Sequence, residues 1–188
     1  MNAHKQTYSH EWVQTREHNE RVKFLFFWGH TSTPGQITSS CLSQWYESPF
    51  EVEGQTYRTC EHWMMAEKAK LFGNNETRSD ILSANSPGEA KQLGRMVKNF
   101  DEEVWRESRY GIVVQGNLHK FGQLPMLRDY LLSTGERVLV EASPVDSIWG
   151  IGLTRDSEDA QYVNRWRGLN LLGFALMEVR DLLRSGHS

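Results

Sequence analysis

The chain has 188 residues, with 21 Lys and Arg against 24 Asp and Glu, and its 38% hydrophobic and 24% charged residues are an ordinary globular share. A chain of this size buries roughly 70% of its surface, enough for a full core without staples, and the composition excludes collagen, coiled coil and bulk disorder. A net charge of −3 with no block of like charge argues against a large duplex-DNA footprint, although a pocket for one or two phosphates needs only a few cations.

The opening MNAHKQTYSHEW carries no apolar stretch of the signal-peptide kind. Residues 1–20 are polar and lack periodicity, so they are expected to form a mobile extension ahead of one domain over 21–188. Val22 to Trp28 is a compact apolar run that reads as a buried strand and is far too short to span a bilayer. Residues 29–44, rich in Gly, Pro, Ser and Thr, make a long loop of the sort that carries function. Phe50-Glu51-Val52 and Gln55-Thr56-Tyr57 flank Glu53-Gly54 as a tight hairpin.

Helices follow. Thr59 caps one that starts at Cys60 and stops at Gly73, with Glu61 in its first turn. A short one covers Thr77 to Ala84. Ser86-Pro87-Gly88-Glu89 combines an N-cap, a proline at the first helical position and a capping box for a helix to about Lys98. Asp101 caps a helix to about His119 that tolerates Gly111 and Gly116, and Gln123 to Leu132 forms another. Arg137 to Ala142 alternates and is a strand. Ser143 to Arg155 is a loop, Ser157 caps a short helix, and Asn170 to Leu183 is a final helix with a leucine-rich stripe. This order is not a βαβ alternation, so a doubly wound sheet is not expected; the pattern predicts one mainly helical α+β domain with a small sheet of three or four strands. Two cysteines, Cys41 and Cys60, fit a reducing compartment such as the cytosol rather than a disulfide framework.

Four groups of residues carry chemical potential. On the helix TCEHWMMAEKAKLF, Glu61 and Lys68 lie seven apart and so share a face with Met64 and Met65; they are either a site or a solvated pair beside core methionines. Asp146, Trp149, Gly150 and Gly152 sit on the loop after the strand Arg137 to Ala142, as a cleft with backbone room for an anion or as an Asx turn with Trp149 plugging the core. Trp105 is either a core residue or a stacking wall. Cys60 and His62 lack a second spaced pair to complete a metal site, so neither a metal nor a cofactor is expected. Seven tryptophans imply a bulky core or a pocket that stacks rings.

Taken together, Ser43-Gln44-Trp45-Tyr46-Glu47-Ser48-Pro49-Phe50, Cys60-Glu61-His62-Trp63 with Ala66-Glu67-Lys68-Ala69, Lys120-Phe121, Leu139-Val140-Glu141-Ala142, Asp146 with Trp149-Gly150, and Gly168-Leu169-Asn170-Leu171-Leu172-Gly173 through Arg180 occur in the order that resembles the YbiA-like proteins, the NADAR superfamily. The resemblance spans about residues 24–184; Gln44 stands where the family usually has Asn. It implies an N-glycosidase that cleaves a ribose C1′–N bond. The implied substrates are phosphorylated aminopyrimidine ribosides, early intermediates of riboflavin biosynthesis. The alternatives are ADP-ribosylated guanine, the one way nucleic acid enters as a substrate, and a non-catalytic module for ADP-ribose or NAD-like ligands. Family positions carry over to Glu61, Trp105 and Asp146, and Lys68 matches a lysine proposed as a nucleophile in relatives.

Breaking such a bond develops positive charge on the ribose, which carboxylates stabilise. Glu61 and Asp146 are therefore expected to flank the bond, and Lys68 either attacks C1′ or pairs with Glu61. Trp105 and Trp149 are expected to hold the base, Trp45 and Tyr46 to line the pocket or the core, and Gly150 and Gly152, with Arg155 nearby, to hold phosphate.

Overall fold

Side-chain capping sets where four of the described helices begin. In the computed structural model, which describes residues 4–186, the chain runs α1 (His10–Asn19), β1 (Phe24–Phe27), β2 (Phe50–Val52), β3 (Gln55–Tyr57), α2 (Cys60–Leu71), α3 (Asn75–Ser83), α4 (Pro87–Gly94), α5 (Glu102–Gln123), α6 (Pro125–Ser133), β4 (Val138–Glu141) and α7 (Leu171–Arg184), with short 3-10 turns between. The Thr59 hydroxyl accepts the His62 N–H and opens α2. Ser86 accepts the Glu89 N–H, and the Glu89 carboxylate reaches back to the Asn85 N–H at 2.7 Å, so the capping box closes one residue earlier than the ideal pattern. Asp101 Oδ1 takes two amides, those of Glu103 and Val104.

α5 runs past its expected end near His119 to Gln123, and Gly116 within it is a packing site rather than a weak point. A Cβ at Gly116 would lie 2.4 Å from Trp63 Cδ1, so the glycine lets α2 and α5 approach. The α+β class holds, but the four strands make two separate pairs. β1 and β4 are parallel, with Phe24 opposite Val138 and Phe27 opposite Glu141, whereas β2 and β3 form the hairpin. Helices α2 to α6 lie within the long connection from β1 to β4.

The end of β4 is fixed by α7. Asn170, in the left-handed region at φ 53°, is fully buried. Its side chain accepts the Glu141 N–H at 3.0 Å and donates to the Leu139 carbonyl at 2.9 Å. A Cβ on Gly173 would meet the Leu139 carbonyl at 2.1 Å, so only glycine lets the first turn of α7 sit against the strand backbone. Glu141 is thereby held at the strand end by two elements.

The N-terminal stretch departs from the expected mobile extension. Ser9 caps α1, and Val13 of that helix is fully buried. The Tyr8 hydroxyl bonds Asp181, and the His4 ring bonds Glu178, both on α7. A single buried apolar residue gives a helix no readable stripe, which is why the segment reads as unstructured in sequence. The part of the expected extension before residue 4 lies outside the described residues.

Candidate active site

Glu61, Met64, Met65 and Lys68 stand at i, i+3, i+4 and i+7 on α2 and all line one cavity of about 180 Å³. The loop before β2 closes one side with Trp45; the loop after β4 closes another with Asp146 and Trp149; α5 supplies Trp105. The structure thus brings together six of the sequence-derived candidates: Trp45, Glu61, Lys68, Trp105, Asp146 and Trp149.

The loop carrying Trp45 is held by buried polar bonds. The Lys120 ammonium, fully buried, donates to the Cys41 carbonyl at 2.6 Å and the Ser43 carbonyl at 3.0 Å. Gln44 Oε1 accepts from Asn117 at 2.8 Å, and the Gln44 carbonyl accepts the Glu61 N–H at 3.0 Å. A long Gly- and Ser-rich segment so becomes a rigid wall, in keeping with pre-organised sites.

Three carboxyls share the cavity: Glu61, Asp146 and Glu141. Burial pushes Glu61 up to about 7; Lys91, the Trp45 indole beside it and Arg95 pull it down, while the charge of Asp146 raises it. Burial pushes Glu141 higher, to about 8, with Asp146 and Glu61 adding to the rise and Lys91 opposing it. Glu61 Oε1, Glu141 Oε2 and Gln44 Nε2 are buried without a hydrogen-bond partner. Native interiors pair nearly all such atoms, so three orphans around one cavity mark positions that a bound molecule satisfies. Asp146 serves both of its sequence readings. Its Oδ1 accepts the Ile148 and Trp149 amides at 2.9 and 2.8 Å, folding the loop, while the residue lines the cavity.

Lys68 does not pair with Glu61. Its ammonium donates to the Gly94 carbonyl at 2.9 Å and sits 4.3 Å from the Phe100 ring centre and 5.5 Å from that of Trp105. Burial lowers its pKa, and Arg95 lowers it further, against an opposing pull from Glu102. Lys91 and Arg95 also line the cavity, where both act on Glu61, and the Lys91 ammonium lies 5.8 Å from the Trp45 ring centre.

Three expected positions fall elsewhere. Tyr46 is a core residue, 8% exposed, with the Lys120 ammonium 5.6 Å from its ring centre. Gly150 is required by close approach of the chain to itself, since a Cβ there would stand 2.8 Å from the Glu141 carbonyl. Gly152 takes φ +68°, and its Cβ would meet Arg167. Neither glycine lines the cavity, and Arg155 forms an exposed ion pair with Asp156. The cations facing the site are instead Lys91 and Arg95, which stand one helical turn apart, a spacing readable in sequence. Glu141 was also missed, although an acid closing a strand of buried Val and Leu is a signal of the same kind.

Buried carboxyls make stability depend on pH. Both glutamates have pKa values raised above those of an unfolded chain, near 4.3. The folded state therefore binds more protons between about pH 4.5 and 8, and their contribution, full below that range, is lost as pH rises through about 7 and 8. Glu141→Gln should flatten the fall of Tm with pH and melt above the unsubstituted chain at pH 9. An unchanged slope in thermal scans would show that Glu141 is not buried as an acid.

The family model described as the NADAR domain matches residues 26–184 of this chain. The N-glycosidase R617 of Acanthamoeba polyphaga mimivirus is 40% identical over 167 residues, 86% of this chain and 97% of that protein. The N-glycosidase YbiA of Escherichia coli is 31% identical over 135 residues, 72% of this chain and 76% of YbiA. The NMR structure of E. coli YbiA superposes with a TM-score of 0.71 at 25% identity, covering 99% of this chain and 95% of that one. The riboflavin biosynthesis protein PYRR of Zea mays is 38% identical over 133 residues, 67% of this chain but 20% of that longer protein. With the family model spanning most of its length and with relatives of this fold named N-glycosidases, the chain belongs to the NADAR family, and its enzymatic class is that of hydrolases acting on N-glycosyl compounds.

Proposed function

We propose that this enzyme hydrolyses the ribose C1′–N bond of phosphorylated aminopyrimidine ribosides. The observation that carries the reading is one tryptophan-walled cavity that gathers charge of both signs, the carboxyls of Glu61, Glu141 and Asp146 together with the cations of Lys68, Lys91 and Arg95. A riboside phosphate has that polarity: its sugar becomes cationic during cleavage, and its phosphate is anionic. The flat base stacks among Trp45, Trp105 and Trp149, and the phosphate meets Lys91 and Arg95. The similarity to a maize protein named for riboflavin biosynthesis supports the same substrate class.

In this reading the Lys68 amine attacks C1′. The C1′–N bond breaks, its electron pair stays on the base nitrogen, and a protonated cavity glutamate supplies the proton. The ring oxygen then leaves C1′, taking a proton, and an imine joins the sugar to Lys68; water adds to the imine and frees the lysine. Carboxyls pushed up toward neutral pH can both give and take protons there.

Incubation with a phosphorylated aminopyrimidine riboside, and separately with ADP-ribosylated guanosine, tests the substrate class by chromatography of the released base. Base released from the first and not the second is expected. The reverse would move the assignment to ADP-ribosyl hydrolysis, and binding without release would point to a ligand-binding module.

The ligand-type side chains beside Glu61 are engaged in the fold. His62 Nε2 donates to the Ala84 carbonyl at 3.2 Å and Nδ1 takes the Thr59 hydroxyl at 2.8 Å. The Cys60 thiol, fully buried and pushed up to about 11 by burial, points to Asn117. Turnover is therefore expected to withstand exhaustive EDTA treatment. Loss that a divalent ion restores would assign a metal to the site.

A further inference from the structure

A second cavity, of about 340 Å³, is lined by Arg106, Arg109 and Tyr110 of the same helix α5 and lies in the size range of small-molecule sites. Its distinctive wall is Arg109. That side chain belongs to a residue only 8% exposed, and among the described residues it has no hydrogen bond or ion pair. Its nearest charges are Glu102, Arg106 and Asp146, and burial, the largest influence, lowers its pKa. Its stem is buried, but its nitrogens are not among the sealed polar atoms, so the guanidinium opens on the cavity with donors that no hydrogen bond uses. Arg106, one turn earlier and mostly exposed, lines the same cavity and presents a second guanidinium at its mouth. Opposite, Leu171 and Phe174 of α7 give an apolar floor, and His10 of α1 contributes a ring whose Nε2 is buried and unpartnered.

We infer that this second cavity is an anion-binding site that takes the phosphoryl group of a small phosphorylated molecule, with Arg109 as its buried anchor and Arg106 at its rim. Phosphate suits two guanidinium forks on adjacent turns better than a single carboxylate does, because it offers more acceptor oxygens than one fork uses. His10 Nε2 adds a polar contact for the ligand, and the floor takes its apolar body. The roof is the segment from Gln6 to Glu11, which precedes the part of the chain matched by the family model. The site is therefore built partly from residues outside the stretch that the family model matches. It also has a route to the first cavity: Leu169 N–H donates to the Ser147 carbonyl at 2.9 Å and Leu172 N–H to the Trp149 carbonyl at 3.1 Å, so the segment flooring the second cavity holds the loop of Asp146 and Trp149.

The inference rests on residues separate from the proposed hydrolysis, and a negative hydrolysis assay leaves it standing. Calorimetric titration of the full chain with inorganic pyrophosphate tests it, using Lys91→Gln to weaken competing binding in the first cavity, where Arg95 and Lys68 remain. Pyrophosphate binding should persist in Lys91→Gln, fall at least ten-fold when Arg109→Gln is added, and fall several-fold with Arg106→Gln, an exposed change that leaves the core intact. Circular dichroism establishes folding of each variant. Should Arg109→Gln unfold the chain, the Arg106→Gln titration and its weakened dependence on salt decide the matter. Absence of binding at millimolar pyrophosphate in Lys91→Gln, or binding indifferent to both arginines, would overturn the proposal.

Discussion

Glu61→Gln should fold normally and lose hydrolysis by about 10²-fold or more, the scale expected of a group acting on the transition state. The change removes an acid–base group while keeping the side-chain shape and leaves the backbone bond from Glu61 N–H to Gln44 untouched. Steady-state kinetics should show the loss mainly in kcat, because base and phosphate contacts lie on other residues. The pH profile carries a second test. The charge of Glu61 adds to the rise of Glu141, so the two lose their protons in sequence, at about 7 and about 8. If one member must be ionised and the other protonated, kcat rises as the pair loses its first proton and falls as it loses the second. In Glu61→Gln the residual rate should lose one limb of that bell, since a single carboxyl then titrates alone. A folded variant with near-normal turnover and an unaltered profile would remove Glu61 from the chemistry.

Local signals in the sequence were sufficient where one residue governs one bond. Thr59, Ser86 and Asp101 cap the helices expected of them because an N-cap is decided within four residues. The face of α2 is legible for the same reason: heptad spacing returns Lys68 to the side of Glu61 wherever the helix goes. What that face meets is set by contacts far apart in the chain. Trp105 and Asp146 reach the cavity through the packing of α2 on α5 and of α7 on β4. Glu141 reads locally as part of a strand, and its burial comes with Asn170 and Gly173, which hold the strand end against α7. The glycines of the Asp146 loop misled for a related reason. They read as backbone room for an anion, whereas the close approach at Gly150 is to the protein's own carbonyl at Glu141. The same blindness to distant contacts hid α1, whose hold on the domain comes from Val13 and from preceding residues that reach α7.

Borohydride added during turnover should trap a covalent sugar adduct on Lys68, and Lys68→Ala should abolish both adduct and turnover. The structure removes one objection to this route, because the lysine is not consumed by an ion pair with Glu61. Its ammonium bonds a neutral carbonyl, at Gly94, and lies in the cavity with Glu61. Burial favours the neutral amine that attack requires, and Arg95 acts in the same direction. The rings of Phe100 and Trp105 oppose it, since aromatic faces favour the cation by roughly 0.5–2 kcal/mol. Raising pH should therefore increase the initial rate of adduct formation until the amine is fully deprotonated or the glutamate pair has lost the proton that the leaving base needs. Lys68→Arg separates attack from charge. A guanidinium retains the positive charge and the aromatic contacts but stays protonated and does not attack carbon. Substrate binding should survive in Lys68→Arg, seen as protection of the melting temperature by substrate, while turnover and the borohydride adduct vanish. Substantial turnover in Lys68→Arg, with no adduct in the mass spectrum of the unsubstituted enzyme, would show that the lysine serves only as a charge. The carboxyls would then activate water directly: one of Glu61, Glu141 and Asp146 as base toward C1′, and a protonated glutamate as acid toward the leaving base.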